Sequence, residues 1–261
     1  MLENLTAERY YGNAVGAATK PSKMGCRSSS GTVIDVFVKC SWLQCPPGGL
    51  VREVVSALLA DALQIPSAKP SLVHIEQELL DQIQAISPET CVRMSNSVVP
   101  MYGSIALGTG YSLCTPGAPL GPGIIRSAAE IWAFDQLVLN PDRNARKPNC
   151  MLKGDGLAII DHEKALMVEG VGGFLLPAPW DAHWTPDVSH IFNEAVRSGS
   201  FDLTRLQNAW REIDGEKTQK ILSYVPQSWD IEGVMGSIGN YLADLHANLD
   251  SAFKNLMGVT S

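Results

Sequence analysis

The side chains best suited to chemistry lie between residues 133 and 166. Asp142 lies in a loop, Asn149 follows seven positions later, and Asp161 comes directly after the apolar residues 157–160. A carboxylate can orient a hydroxyl nucleophile, and carboxylate and amide oxygens are ligands that Mg²⁺ accepts. Phosphoryl transfer needs these groups together with a cation that holds phosphates. The segment therefore indicates phosphoryl transfer from a nucleoside triphosphate.

Lys39 could supply that cation. It ends residues 32–39, a β-branched and aromatic stretch that predicts a strand. Glu53 lies in residues 50–63, where apolar residues recur at helical spacing. In protein kinases a strand lysine and a helix glutamate form an ion pair that positions the lysine on the phosphates. We therefore expect Lys39 to pair with Glu53.

The order of these residues resembles that of the HipA-like bacterial kinases, which are relatives of the protein kinases and phosphoinositide kinases. The resemblance extends over about residues 16–166, and its most specific elements are Asn140-x-Asp142-Arg143 and Ile160-Asp161-His162. In chain order the elements are Arg52-Glu53-Val54, Tyr102-Gly103-Ser104, Phe134-Asp135, Asn140-x-Asp142-Arg143 and Ile160-Asp161-His162.

That resemblance implies an ATP- and Mg²⁺-dependent phosphotransferase, most simply a serine/threonine protein kinase. It implies that Asp142 orients or deprotonates the acceptor hydroxyl and that Asp161 and Asn149 bind Mg²⁺. Lys39, positioned by Glu53, would hold the phosphates. The family further implies a toxin-like role, with a protein substrate and a cognate antitoxin or regulatory protein as partners.

The sequence departs from the family pattern at one position of the catalytic loop. Lys147 stands five residues after Asp142, where the family usually has a metal-binding Asn. We assign the metal-binding role to Asn149. Two alternatives are that Asn144 binds the metal, or that Lys147 neutralises phosphate charge in place of a metal ligand. Two other functions stay open: a nucleotide-binding pseudokinase or interaction module, and an enzyme that transfers AMP or phosphorylates a small molecule.

The phosphate-binding loop is predicted from composition. Residues 12–31 are rich in Gly, Ser and Thr, whose backbone can form a cradle for phosphates, although they match no Walker A or G-x-G-x-x-G pattern. Within this stretch, we assign Ser28, Ser29 and Ser30 to ATP binding.

The remaining patterns predict an α+β, bilobal, protein-kinase-like fold. Residues 1–97 would form a β-rich N-terminal lobe and residues 98–261 an α-helical C-terminal lobe that carries the catalytic and metal-binding loops. Further strands are predicted over residues 71–75, 104–107, 150–153 and 157–160, and helices over residues 127–139, 188–197, 203–213 and 231–256.

Composition excludes several other classes of protein. The 261 residues carry a net charge of −7 without a basic run, which argues against nucleic acid as a partner. The uncharged residues 94–125 contain four prolines, so they do not predict a membrane span. The six cysteines show no C-x-x-C pair, and the N-terminus lacks a secretory pattern. We therefore expect a cytoplasmic protein with reduced thiols.

Overall fold

The fold is that of a computed structural model, which describes residues 2–117, 120–168, 177–199 and 201–259. The first 105 residues contain five strands and three helices, whereas the described residues after 192 contain helices and no strand, so the expected α+β class is confirmed. The strands are β1 Glu3–Asn13, β2 Ser22–Arg27, β3 Val33–Lys39, β4 Pro70–Ile75, β5 Met101–Ile105, β6 Ser112–Leu113, β7 Cys150–Lys153 and β8 Gly156–Ile159. The helices are α1 Pro47–Ala62, α2 Gln77–Ile86, α3 Pro88–Ser95, α4 Pro122–Leu137, α5 Asn193–Ser198, α6 Thr204–Arg211, α7 Gly215–Leu222, α8 Val234–Ala247 and α9 Leu249–Gly258.

Strands β1 to β5 close into a barrel with the spatial order β1-β2-β3-β5-β4. β1 and β4 run parallel, and the other neighbouring strands run antiparallel. Side chains alternate across a strand, so Met24, Cys26, Val36 and Val38 lie together in the interior. Helices α2 and α3 add apolar side chains to the same cluster. Lys39 ends β3 at one end of this barrel.

Gly103 of β5 lies where the barrel wall is tightest. A Cβ atom at this position would come within 2.4 Å of Ser71 Oγ and within 2.8 Å of Val36 Cγ1. Real Cβ atoms do not approach other atoms so closely, because the repulsion is too strong. The glycine of the Tyr-Gly-Ser element therefore has a packing role inside a strand.

Helix α1 connects β3 to β4 and is buried along most of its length. A proline occupies its first turn, where the missing N–H costs no hydrogen bond. Val51, Val55 and Leu59 recur every four residues and pack into one apolar cluster with α4 and with helices α6 to α9. Glu53 shares this helix and is buried as well. The large core therefore fixes where Glu53 lies.

Strands β6, β7 and β8 form a second, antiparallel sheet. Ile159 of β8 donates its N–H to Pro66 O at 2.9 Å, and Ala68 N donates to Ile159 O at 3.1 Å. These bonds hold β8 against the segment that leads from α1 into β4. The residues that follow β8 are thereby held close to α1.

Most predicted elements correspond to observed ones, with some differences. The predicted loop over residues 12–31 contains strand β2, and the helix predicted over residues 231–256 is two helices, α8 and α9. Asn248 separates them, and its Nδ2 donates to Asp244 O at 2.8 Å. Asn commonly bonds nearby backbone in this way, which competes with regular helix.

The division of the chain at residue 97 stays a prediction. Strand β5 follows that position and pairs with β3 and β4 in the barrel. In the part of the chain that the structure describes, no helix is both long and apolar enough to cross a lipid bilayer.

Candidate active site

A cavity of about 550 Å³ lies between the barrel and the second sheet. Lys39 and residues 14–19, which follow β1, line it from the barrel. Residues 104–111 line a second side, and residues 146–149 and Asp161 line a third. Sites for small molecules commonly have volumes of about 300–1,000 Å³. The cavity is therefore large enough for a nucleotide.

Lys39 is the centre of a buried ionic cluster at the cavity wall. Its Nζ donates to Glu53 Oε1, to Asp161 Oδ1 at 2.7 Å and to Glu163 Oε2 at 3.1 Å. Lys39 is only 6% exposed and Glu53 only 1%. The structure thus brings together three of the predicted site residues and adds Glu163 as a fourth member.

The cluster shifts the pKa values of its members. Burial alone would lower the pKa of Lys39, but the carboxylates of Glu53, Asp161 and Glu163 outweigh burial and raise this pKa well above its usual value. Burial raises the pKa of Glu53 to about 7, although Lys39 acts in the opposite direction. Burial also disfavours the charge of Asp161, yet Lys39 lowers the pKa of this carboxyl to about 2. Lys39 and Asp161 are therefore both charged at neutral pH.

Asp161 adopts a left-handed backbone conformation, with φ of 60°. This conformation is uncommon for residues other than Gly and persists where neighbouring groups fix it. On one side Ile160 N donates to Asn149 O at 3.0 Å, and on the other His162 N donates to Glu53 Oε2 at 2.8 Å. The resulting geometry places the carboxylate against Lys39 and leaves 27% of the side chain exposed.

Asp142 lies in the loop before β7, next to two residues that line the cavity. Lys147 Nζ is 3.1 Å from Asp142 Oδ2, and Asn149 Nδ2 donates to Asp142 O at 3.2 Å. Asn140 Oδ1 accepts the N–H of Asp142 at 3.2 Å, which fixes the start of the loop. Asn144, the alternative metal ligand, accepts backbone N–H groups of its own turn.

Arg143 is a completely buried arginine that holds two loops together. Its Nε donates to Asp135 Oδ2 at 2.5 Å, and its Nη1 donates to the backbone oxygens of Asn149 and, at 3.3 Å, of Ile160. His190 Nε2 is 2.9 Å from Asp135 Oδ2. Burial would raise the pKa of Asp135, but Arg143 and His190 hold it well below its usual value. Arg143 and Asp135 therefore form a permanent charge pair beneath the site.

His162 and His190 are both buried beside this pair. Burial and the nearby charge of Arg143 lower the pKa of His162 to about 3, so this side chain is neutral at physiological pH. Its role is hydrogen bonding, since its Nδ1 is 3.5 Å from Arg143 Nη2. The partner of His190 is Asp135, which lies 55 positions away in the sequence. No local spacing in the sequence could indicate this contact.

Ser28, Ser29 and Ser30 lie in the turn between β2 and β3. Ser28 N donates to Thr32 O at 2.9 Å, and Ser28 Oγ is 2.8 Å from Ser30 Oγ. This turn lies at the end of β3 opposite Lys39, and the three serines are absent from the described residues that line the cavity. Residues 14–19 of the same predicted loop line it instead. Strand β2 separates residues 14–19 from the three serines.

The family profile of the HipA-like kinases matches residues 17–254, which is most of the chain. The chain belongs to the HipA-like kinase family. No curated protein matches it. Among solved structures, it is similar to the crystal structure of CtkA, a proinflammatory kinase of Helicobacter pylori. The two share a TM-score of 0.53 and 11% sequence identity over 97% of this chain and 96% of that chain.

The comparison with CtkA concerns the fold, because the sequence identity is low. It confirms a kinase-like architecture with a strand-rich N-terminal part and a helical C-terminal part. In this HipA-like kinase, Lys39 and Asp161 of the ionic cluster line the cavity together with residues 146–149 of the loop that carries Asp142. Family and fold together support a kinase-type phosphotransferase.

Proposed function

We propose that this HipA-like kinase transfers the γ-phosphate of ATP, in the presence of Mg²⁺, to a serine or threonine hydroxyl of a protein. The observation that carries the proposal is the contact of Lys39 Nζ with both Glu53 and Asp161 at the wall of the cavity. A lysine positioned by a glutamate and a metal-binding aspartate are the parts that kinases need around the phosphates.

The cavity has suitable surroundings for both ends of ATP. Phe37, Leu107, Met151 and Ile160 supply apolar surface for an adenine ring. Lys39 lies among the same lining residues and would bind the phosphates. Residues 14–19 also line the cavity and precede β2, whose first residue pairs with Val38 next to Lys39, so their backbone N–H groups would bind phosphates.

The donor atoms near Lys39 fit Mg²⁺. Asp161 and Asn149 both line the cavity and offer the oxygen ligands that this ion prefers. Asn149 uses its Nδ2 on Asp142 O, which leaves its Oδ1 available as a ligand. Carboxylate oxygens of Glu53, Asp161 and Glu163 lie within 4.8 Å of one another, and the three acids carry more charge than Lys39 neutralises. When bound, Mg²⁺ would neutralise phosphate charge.

The chain's own residues would then divide the work of transfer. Asp142 would orient the acceptor hydroxyl and take its proton as the bond from oxygen to the γ-phosphorus forms. The bond from that phosphorus to the β–γ bridging oxygen breaks, and ADP leaves. Lys39 and Lys147, both in the cavity lining, would stabilise the negative charge on the phosphates.

A second candidate function is nucleotide binding without transfer. Lys147 stands at the usual position of the metal-binding Asn, and its Nζ already pairs with Asp142 Oδ2 at 3.1 Å. If this pair persists with nucleotide bound, Lys147 occupies Asp142 Oδ2, and only Oδ1 is left to meet an acceptor hydroxyl. Such a pseudokinase would bind ATP and leave both itself and its partners unmodified.

The partners and compartment that we propose depend on the family alone. They are a protein substrate and a cognate antitoxin or regulatory protein in the cytoplasm, with a toxin-like restraint of growth. Expression of the protein and of its Asp142→Ala variant in a bacterial host tests the last point. We expect only the unaltered protein to slow growth, and equal growth of both cultures would contradict a toxin-like role.

The decisive experiment measures intact mass after incubation with ATP and Mg²⁺, alone and with dephosphorylated casein as an acceptor. We expect a gain of phosphate on the protein or on casein, and no gain with Asp142→Ala. Asp155→Ala, which removes an exposed carboxylate in the β7–β8 turn, is the matched control and should behave as the unaltered protein. A gain of AMP would replace phosphoryl transfer by adenylyl transfer. ATP binding without any gain in mass would favour the pseudokinase.

A further inference from the structure

Cys114 and Cys150 face each other at the end of β6 and the start of β7. Leu113 pairs with Met151 in the antiparallel register, so the next residues, Cys114 and Cys150, are directly opposite each other. Cys114 N donates to Cys150 O at 2.8 Å, which continues the ladder. Opposite residues on antiparallel strands project their side chains to the same face of the sheet. Both thiols are free and buried in the large core.

This placement satisfies the geometry that a disulfide needs. Residues of a hydrogen-bonded antiparallel pair have Cα atoms about 5.5 Å apart, and disulfides form at Cα separations of about 4.4–6.8 Å. The two thiols also interact, since the hydrogen bond between them lowers the pKa of Cys114 and raises that of Cys150. A larger fraction of Cys114 is therefore thiolate, which is the reactive form of cysteine.

We propose that Cys114 and Cys150 form a reversible disulfide when a peroxide oxidises the protein, and that this bond weakens nucleotide binding. The Cys114 thiolate attacks one oxygen of hydrogen peroxide, which gives a sulfenic acid and releases water after protonation. The Cys150 thiol then attacks the Cys114 sulfur, and a second water leaves. Two thiols and one peroxide thus give one disulfide and two waters. A thiol reductant reverses the reaction by exchange.

The bond would act on the cavity because the neighbouring residues line it. Leu113, Asn149 and Met151 are lining residues, and each is next to one of the two cysteines in the sequence. A disulfide holds its Cβ atoms about 3.8 Å apart, whereas opposite residues in a sheet have Cβ atoms about 4.5–5.5 Å apart. Closing the bond therefore pulls β6 toward β7 and shifts these lining residues. The effect on nucleotide binding rests on the proposed function, whereas the formation of the disulfide does not.

Mass spectrometry tests the bond without any need for kinase activity. The full chain is treated with hydrogen peroxide, remaining thiols are alkylated, and non-reduced peptides are analysed. We expect a linked pair of peptides that contain Cys114 and Cys150, which disappears after reduction. Cys114→Ser and Cys150→Ala should each abolish the link. Cys91→Ser, which alters a buried thiol of the barrel cluster, is the matched control and should leave the link intact.

Binding of ATP, measured by calorimetry before and after oxidation, tests the consequence. We expect the oxidised protein to bind ATP about threefold or more weakly, and we expect peroxide to leave the affinity of Cys114→Ser unchanged. Free thiols at both positions after peroxide treatment would overturn the proposal. A complete disulfide with unchanged ATP affinity would overturn its effect on the cavity. A reduced protein that binds no ATP would instead refute the proposed function, while the disulfide would still be read from the peptide masses.

Discussion

Replacing Lys39 by Met would leave Glu53, Asp161 and Glu163 without the ammonium group that they share. Methionine has a similar length and an apolar stem, so the change removes charge with little loss of packing. Removal of one partner from a buried ion pair costs about 3–5 kcal/mol, because the remaining charge is buried and uncompensated. We therefore expect the free energy of unfolding at pH 8 to fall by about 3–5 kcal/mol in Lys39→Met.

The loss of unfolding free energy in Lys39→Met should depend on pH, and the pKa values of the carboxyls determine in which direction. In the folded protein the pKa of Glu53 is raised from 4.5 to about 7. Its favourable contribution to stability is therefore fully present below about pH 4.5 and is lost as the pH rises through about 7. Lys39 lowers the pKa of both carboxyls, so without it the pKa of Glu53 rises further and that of Asp161 rises from its lowered value of about 2. The variant should therefore be less destabilised at pH 5 than at pH 8.

Urea unfolding of both proteins at pH 5 and at pH 8 measures this difference. Lys23→Met is the matched control, because its ion pair with Asp35 is exposed on both sides and should contribute at most about 1 kcal/mol. Adding Glu53→Gln to Lys39→Met removes one of the buried charges and should restore part of the stability at pH 8. An equal loss at both pH values, or no loss at either, would refute the idea that Lys39 compensates buried carboxylates.

Three further predictions concern the site and one helix. We expect Asp161→Asn to abolish Mg²⁺-dependent transfer while the far-ultraviolet circular dichroism stays unchanged; retained transfer would contradict its assignment as a metal ligand. We expect His190→Ala to lower kcat with little change in KM for ATP, because it removes the contact with Asp135, and we expect His190→Gln to restore part of kcat by steady-state kinetics. Asp214 caps α7 by accepting Lys217 N at 2.8 Å, so Asp214→Ala should cost about 1 kcal/mol in urea unfolding.

The elements with strong local patterns could be predicted from the sequence. Strand β3 follows from a β-branched run, helix α1 from helical spacing between breakers, and strand β7 from a short apolar run beside a Gly turn. Such patterns are local, so they predict that Lys39 ends a strand and that Glu53 lies on the next helix. They do not show how the two elements pack. The contact between the two side chains was a hypothesis that depended on the resemblance to kinases.

The sequence could not show contacts that join distant segments. Glu163 reaches Lys39 from 124 positions away, although nothing in its local sequence distinguishes it from a surface carboxylate. Ser28 was assigned to phosphate binding from composition alone, and composition does not show at which end of a strand a phosphate would bind. Ser28 lies in the turn that precedes β3, whereas Lys39 ends this strand, so the two lie at opposite ends of it.

Arg143 explains why Asp142 and Asp161 lie in one site although 18 residues separate them. Its guanidinium is neutralised by Asp135 of α4 and donates to the backbone oxygens of Asn149 and Ile160, which flank the β7–β8 hairpin. A lysine could not make these contacts together, because it lacks the planar array of donors. The Asp-Arg sequence therefore combines two roles: the aspartate faces the acceptor in our proposal, and the arginine holds together the ends of the segment that carries the metal ligands.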